Sequence, residues 1–220
     1  MKVLVVAPHP DDEVLGVGGT IAKHGMKKDE VYLCIVTHAY EPDWSKEFIE
    51  NRKTEVLKVS ELLGIKKTQF LDFPTVKLDT VPRKELNDTI AAYVKEIMPD
   101  IVYAPHRGDV NMDHRLVFEA TFVATRPTSN PVSKLLTYET PSETDLAPPF
   151  GASAFVPNVY VDIVETLEIK IKALSLYRTE IKEFPHPRSA KLLSALAMKR
   201  GAEAGLSAAE AFMLMKEILR

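Results

Sequence analysis

An apolar run without polar alternation, Val3-Leu-Val-Val-Ala7, opens the chain and constrains the rest of it. Such a run reads as a strand covered on both faces, as in a parallel sheet flanked by helices. The pattern recurs along the first two-thirds. A helix is expected over about Val14 to Met26, a strand over Val31 to Val36, and a charged helix over about Ser45 to Leu63 with Gly64 as its C-terminal stop. Thr68 to Leu71 reads as a short strand. Pro82 to Met98 reads as a helix with proline near its first turn and Pro99 beyond its end. Ile101 to Ala104 is another apolar strand, and Asp113 to Thr125 a helix stopped before Pro127. Alternation of strand and helix with right-handed crossovers predicts an α/β fold, Rossmann-like and doubly wound, with a mainly parallel sheet and helices on both faces.

Residues 126–157 break the rhythm. They hold Pro127, Pro131, Pro141, Pro148, Pro149 and Pro157 around one β-like run, Leu135 to Glu139. The segment reads as an irregular excursion beside the sheet, a candidate substrate wall or lid. A strand over Val159 to Ile163 and a helix over about Val164 to Lys182 follow, and 164–220 is expected to be helical. Ser207-Ala-Ala-Glu210 is a capping-box pattern, in which Glu210 caps a final helix carrying Phe212, Met213, Met215 and Ile218. The 220 residues fit a single domain (1–220) able to bury a core without disulfides. Cys34, the one cysteine, lies in an apolar strand and reads as a small buried hydrophobe. A net charge of −3 provides no basic field for nucleic acid. No stretch has the ~18 apolar residues of a membrane span, and the first run is too short for a signal peptide. The expectation is a soluble, cytoplasmic protein.

Two segments are dense in groups that do chemistry: Pro8-His-Pro-Asp-Asp-Glu13 after the first strand and His106-Arg-Gly-Asp-Val-Asn-Met-Asp-His114 after the strand Ile101 to Ala104. In a doubly wound sheet the first and fourth strands are neighbours, and ligands bind in the crevice at that switch point. The segments should therefore meet. A hydrolytic metal site needs about three protein ligands and one open position. His9, Asp12 and His114 supply two imidazoles and a carboxylate, a set that suits zinc (Zn2+) and that iron(II) or another divalent ion also accepts. A bound ion would lower the pKa of its water toward ~7. Asp11 is the choice for the carboxylate that takes the water's proton and returns it to a leaving amine.

Each residue has a plainer reading. Asp12 or Glu13 could simply cap the next helix. Asp113 could be a helix N-cap or could orient a histidine ring. His24 and His38 lack ligand-rich neighbours and read as ordinary histidines. Gly16-Val-Gly-Gly19 superficially suits a dinucleotide-binding oxidoreductase, but that fingerprint starts at the strand end, where this chain has His9 to Glu13. The glycines instead read as allowing close packing of helix on sheet. A sugar-binding module without turnover is the other alternative, and the candidate base argues against it.

Pro8-His-Pro-Asp-Asp-Glu13 with Gly16-Val-Gly-Gly19 resembles the signature of the PIG-L/LmbE-like zinc-dependent deacetylases, and Asp109-Val-Asn-Met-Asp-His-Arg115 is similar to that family's second signature. The likeness extends through Asn51-Arg52-Lys-Thr-Glu55, Pro157-Asn-Val-Tyr-Val-Asp162, Phe184-Pro-His-Pro-Arg-Ser189, Arg200-Gly201 and Ala209-Glu-Ala-Phe212. It implies a Rossmann-like fold, a zinc site, removal of acetyl from N-acetylglucosamine-type sugars and conjugates, and a homo-oligomer. By position it implies His9, Asp12 and His114 as metal ligands, Asp11 as base and Arg52 as a substrate contact. The plainer reading of Arg52 is a solvated helix arginine paired with Glu55. Many relatives carry a histidine, thought to stabilise the oxyanion, where this chain has Asn111. An amide can donate there but carries no charge. His186, in the Pro185-His-Pro-Arg188 turn, is a substitute imidazole or a surface-turn residue.

Overall fold

A computed structural model describes residues 1–128 and 132–219; Pro131, within the proline-rich segment, lies outside them. Strands β1 (Lys2–Ala7), β2 (Glu30–His38), β3 (Lys67–Pro74), β4 (Ile101–Pro105) and β5 (Lys134–Tyr138) pair in parallel. Two further strands, β6 (Val159–Asp162) and β7 (Ala209–Glu217), complete a seven-stranded sheet of order β3-β2-β1-β4-β5-β7-β6. β7 is antiparallel to both β5 and β6. Helices α1 (Asp12–Met26), α2 (Lys46–Leu63), α3 (Arg83–Ile97), α4 (Met112–Ala124), α5 (Leu167–Leu176) and α6 (Ala190–Glu203) cover the two faces. The expected doubly wound sheet is present, with β1 beside β4 and strand order reversing between them.

The first apolar run explains the layering. Val3, Val5 and Ala7 join one core with side chains of α1, α2 and α5, while Leu4 and Val6 join the other with α3 and α4. A strand buried on both faces needs no polar alternation. α2 begins at Ser45, whose hydroxyl accepts from Phe48 N at 3.2 Å, and ends at Gly64, φ +73°. The glycines of α1 serve packing. A Cβ on Gly16 would lie 2.2 Å from Tyr138 Cδ2, and one on Gly19 2.9 Å from Ile163. Cys34 is buried, and burial pushes its thiol pKa up. No helix among the described residues is long and apolar enough to cross a membrane.

Two expectations for the C-terminal part are corrected. The helix expected to reach Lys182 ends at Leu176, and the chain then turns so that Thr179 and Glu180 bond α2 through Arg52. The tail is a strand and not a helix. Gly205, φ +71°, turns the chain after α6, and β7 slots between β5 and β6, hydrogen-bonding along both edges. As a helix it would leave those strand edges unpaired. Its alternation puts Phe212 and Leu214 on one core and Met215 on the other, a short apolar pattern that spacing alone does not distinguish from a helix.

Glu210 is therefore not a cap of a final helix. Its carboxylate accepts from Gly19 N (2.9 Å) and Thr20 N (2.7 Å) of α1 and from Lys170 Nζ (2.6 Å) of α5. Lys170 also donates to Leu15 O at 2.8 Å, and both side chains are buried. The pair locks β7 to two helices. Glu210→Ala leaves a buried ammonium uncompensated, so urea unfolding should show a loss of about 3–5 kcal/mol. The double substitution Glu210→Leu with Lys170→Met should recover part of it.

Candidate metal centre

The end of β1 and the end of β4 deliver the site. His9 and Asp12 sit on the tight turn from β1 into α1, and His114 sits in the first turn of α4. Asp11 closes the first turn with φ +113°, and its carbonyl accepts from Val14 N (3.0 Å) and Leu15 N (2.9 Å). A non-glycine residue at that φ is strained, at a cost of about 1–3 kcal/mol. Six non-glycine described residues have positive φ, and three of them, Asp11, Asp72 and Val76, line this one pocket. The strain is concentrated where the geometry matters.

Three candidate ligand atoms converge. His9 Nδ1 and His114 Nε2 each lie 3.3 Å from Asp12 Oδ2 and 3.3 Å from one another. A tetrahedral zinc ion with bonds of ~2.0 Å spaces its ligands by about 3.3 Å. The triangle thus has the edge length that such an ion imposes. The far side of each ring is held as well. His9 Nε2 bonds Asp113 Oδ2 at 3.0 Å, and His114 Nδ1 bonds Asp109 Oδ2 at 2.8 Å. A carboxylate behind each imidazole fixes the tautomer whose lone pair faces the centre. Thr144 Oγ1 donates to Asp109 Oδ1 (2.6 Å), and the strained Val76 donates its N–H to Asp113 Oδ2 (2.7 Å).

Electrostatics agree with the geometry. Burial alone would depress both imidazoles. At His9 the hydrogen bonds to Asp113 and Asp12 outweigh burial and push the pKa up to about 9. At His114 the Asp12 charge and the bond to Asp109 push it up to about 10. Asp12 is desolvated, yet the two imidazoles hold its pKa far below the usual carboxylate range. The triangle wants positive charge at its centre, as protons or as a cation.

The model of the PIG-L family, GlcNAc-PI de-N-acetylase, matches residues 4–125, more than half of the chain and both ligand segments. The chain belongs to the PIG-L family. It is 31% identical over 200 residues to the diacetylchitobiose deacetylase of Thermococcus kodakarensis, covering 84% of this chain and 70% of that one. Among solved structures it is similar to the conserved protein TT1542 of Thermus thermophilus (TM-score 0.80, 27% identity, 99% of this chain and 96% of that one). It is also similar to N,N'-diacetylchitobiose deacetylase of Pyrococcus horikoshii in complex with an inhibitor (TM-score 0.78, 27% identity, 98% and 84%).

Around the triangle, this PIG-L chain sorts the remaining candidates. Asp11 is buried and lines the pocket, its Oδ2 accepting from Arg188 Nη1 at 2.9 Å. Burial raises its pKa well above normal, against the opposing pull of Arg188. Asn111, not Asp113, is the N-cap of α4: its Oδ1 accepts from Asp113 N at 3.0 Å. That bond fixes the amide's orientation and leaves its NH2 group for the pocket it lines. Asp113 orients His9 across the crevice, while Asp109 orients His114. Glu13 accepts from Asp11 N (3.1 Å) and from the Tyr177 hydroxyl, and burial pushes its pKa up to about 7. His106 is turned away, bonded to Ser153 O at 3.0 Å.

Arg52 lines the pocket but is committed to Glu180 and to Thr179 Oγ1 (2.6 Å), with Glu55 at 3.5 Å. His186 is exposed outside the pocket lining, its Nδ1 accepting from Arg188 N at 3.0 Å. The turn aims Arg188 inward instead, onto Asp11, Glu180 and Glu143. Nothing in the composition of the Pro185-His-Pro-Arg188 turn marks Arg188, rather than His186, as the residue that points inward. His38, read as ordinary, lines the pocket too. Among the described residues, none of 126–157 lines this pocket; Ser142 and Glu143 bond Arg188, and Thr144 bonds Asp109. The wall comes from residues 37–53 and 70–76.

One divalent ion per chain should bind, and His9→Ala or His114→Ala should abolish it, as read by metal analysis after dialysis. Both imidazoles hold protons up to pH 9–10 in the metal-free protein, so binding near pH 7.5 must expel them. Calorimetry in buffers of different ionisation enthalpy should show proton release, with affinity rising as pH rises toward that range. Asp109→Asn or Asp113→Asn should weaken binding about 10–100-fold.

Proposed function

We propose that the chain is a zinc-dependent hydrolase that removes acetyl from an N-acetylglucosamine-type sugar or conjugate. The observation that carries this reading is the 3.3 Å triangle of His9 Nδ1, Asp12 Oδ2 and His114 Nε2, whose His9 lines a pocket together with the buried carboxyl of Asp11. The family and the diacetylchitobiose deacetylases similar to the chain support the substrate class.

Two imidazoles and one carboxylate suit zinc and leave a position open. Bound there, the ion supplies Lewis-acid polarisation of the acetamide carbonyl and a water acidic enough to be deprotonated near neutral pH. The chain's own groups do the rest. Asp11 takes the proton of the attacking water and passes it to the nitrogen as the C–N bond breaks, since an amine anion is a poor leaving group. Arg188 holds Asp11 Oδ2 and leaves Oδ1 to take the proton. Asn111 presents its NH2 to the carbonyl oxygen as negative charge develops there. It does so without a formal charge. Asp113 and Asp109 keep the imidazoles in the tautomers the reaction needs. Arg52 and Glu180 form part of the wall against which the sugar lies.

Asp11→Asn keeps the size of the side chain and removes the base. Its kcat for acetate release should fall by about 10²–10⁴-fold, with metal content unchanged. A variant retaining most of its activity would remove Asp11 from this role. Wild-type release of free amine from N-acetyl sugars should stop with a chelator and return with zinc.

A further inference from the structure

The turn between β4 and α4 serves two pockets. Asn111 lines the one that also holds His9 and Asp11. Arg107, Asp109 and Val110 line another, of about 400 Å³, completed by Arg115 of α4 and by Pro148 and Ser153 of the segment after β5. The two pockets have no lining residue in common.

Two cations of this second pocket have no counter-charge. Arg115 is half-buried; its Nε is buried without a hydrogen-bond partner, and its terminal nitrogens form no bond among the described residues. Arg107 is exposed and forms no ion pair among them either. A guanidinium carries five donors in a fixed fork, and a covered donor left unmet costs free energy.

The carboxylates within reach of this end of the sheet are committed elsewhere. Glu119, one helical turn beyond Arg115 and its ordinary partner on α4, pairs with Arg83. Glu139 accepts from Arg200 at 2.6 and 2.7 Å, and Glu143 from Arg188 at 3.3 Å. Asp109 lines the pocket itself, but both of its oxygens are taken: Oδ2 by His114 Nδ1 at 2.8 Å and Oδ1 by Thr144 Oγ1 at 2.6 Å. In a chain of net charge −3, two uncommitted arginines on one concave surface reverse the local sign.

The frame around them is fixed. His106 Nε2 bonds Ser153 O at 3.0 Å, and Val110 N donates to Glu143 O at 3.3 Å. A Cβ on Gly108 would lie 2.4 Å from Ser153 O, so the turn presses on residues 151–153 as closely as glycine allows. A pocket held this way needs little ordering when a ligand arrives.

We propose that this second pocket binds a small dianion, a phosphate group either free or carried by a phosphomonoester, with Arg107 and Arg115 as its two forks. A phosphate presents oxygens to both guanidinium groups at once, whereas a single carboxylate fills one fork. The volume leaves room beside Val110 and Pro148 for the organic part of a monoester. The ligand is not the sugar under attack, because the site lies across the turn from Asp11 and Asn111. The inference stands without the deacetylase reading.

The test is calorimetry of the zinc-loaded protein, freed of excess zinc and at low chloride, with inorganic phosphate and with glucose 6-phosphate. One of the two should bind at one site per chain with a Kd of about 1 mM or tighter. The tighter of the pair says whether the site takes free phosphate or a monoester. Arg107→Gln and Arg115→Gln should each weaken binding about tenfold or more, with metal content unchanged. Arg107 is exposed, so its variant separates binding from folding. Arg115→Lys keeps the charge, loses the fork and should fall between wild type and Arg115→Gln. His114→Ala removes the candidate metal and should keep the anion site. Affinity unchanged in the arginine variants, or lost in His114→Ala because the anion sits on the metal, would overturn the inference. So would binding of neither probe below about 10 mM, or arginine variants whose only effect is to dissociate an oligomer.

Discussion

Three electron-rich atoms, two imidazole nitrogens and a carboxylate oxygen, stand 3.3 Å from one another at the carboxyl ends of two neighbouring strands. Such atoms repel unless positive charge lies among them, and burial sharpens the repulsion. Much of the surrounding structure answers this constraint. Asp113 and Asp109 turn the rings inward, and the backbone of Val76 and the hydroxyl of Thr144 hold those two carboxylates. Local strain at Asp11 and Val76 is the conformational cost of the arrangement. The fold bears that cost because β1 and β4 are locked between two cores.

A second layer of charge surrounds the first. Arg52, Glu180, Arg188 and Asp11 form a chain of alternating sign from α2 through the turn after α5 to the Asp11 carboxyl. Glu143, which also reaches Arg188, comes from the segment after β5. Elements far apart in sequence thus fix one carboxyl oxygen. Half-buried networks of this kind gain little net stability but hold geometry well, because each partner is held by more than one bond.

The parts of this protein that are legible in its sequence are those set by local rules. The run Val3 to Ala7 gave away a strand buried on both faces, and strand order then brought residues 9 and 12 to residue 114 across about a hundred positions. What escaped was set by tertiary partners. β7 has an apolar spacing compatible with helix or strand, and only the vacant edges of β5 and β6 decide between them. Glu210 fitted a local cap, but its partners are Lys170 and two amides of α1. Arg188 was hidden behind His186, because the direction of a turn does not follow from its composition. The pocket wall lies on residues 37–53 and 70–76 for the same reason: proline content marks irregular chain, not the side of the sheet on which it lies.

The central claim is that residues 9, 12 and 114 exist to share one cation. Anomalous diffraction at the zinc edge, from crystals of protein supplied with zinc, tests it most directly. The account predicts a single strong peak about 2.0–2.2 Å from His9 Nδ1, Asp12 Oδ2 and His114 Nε2. A peak bound elsewhere, with those three atoms still in mutual contact and nothing between them, would contradict it.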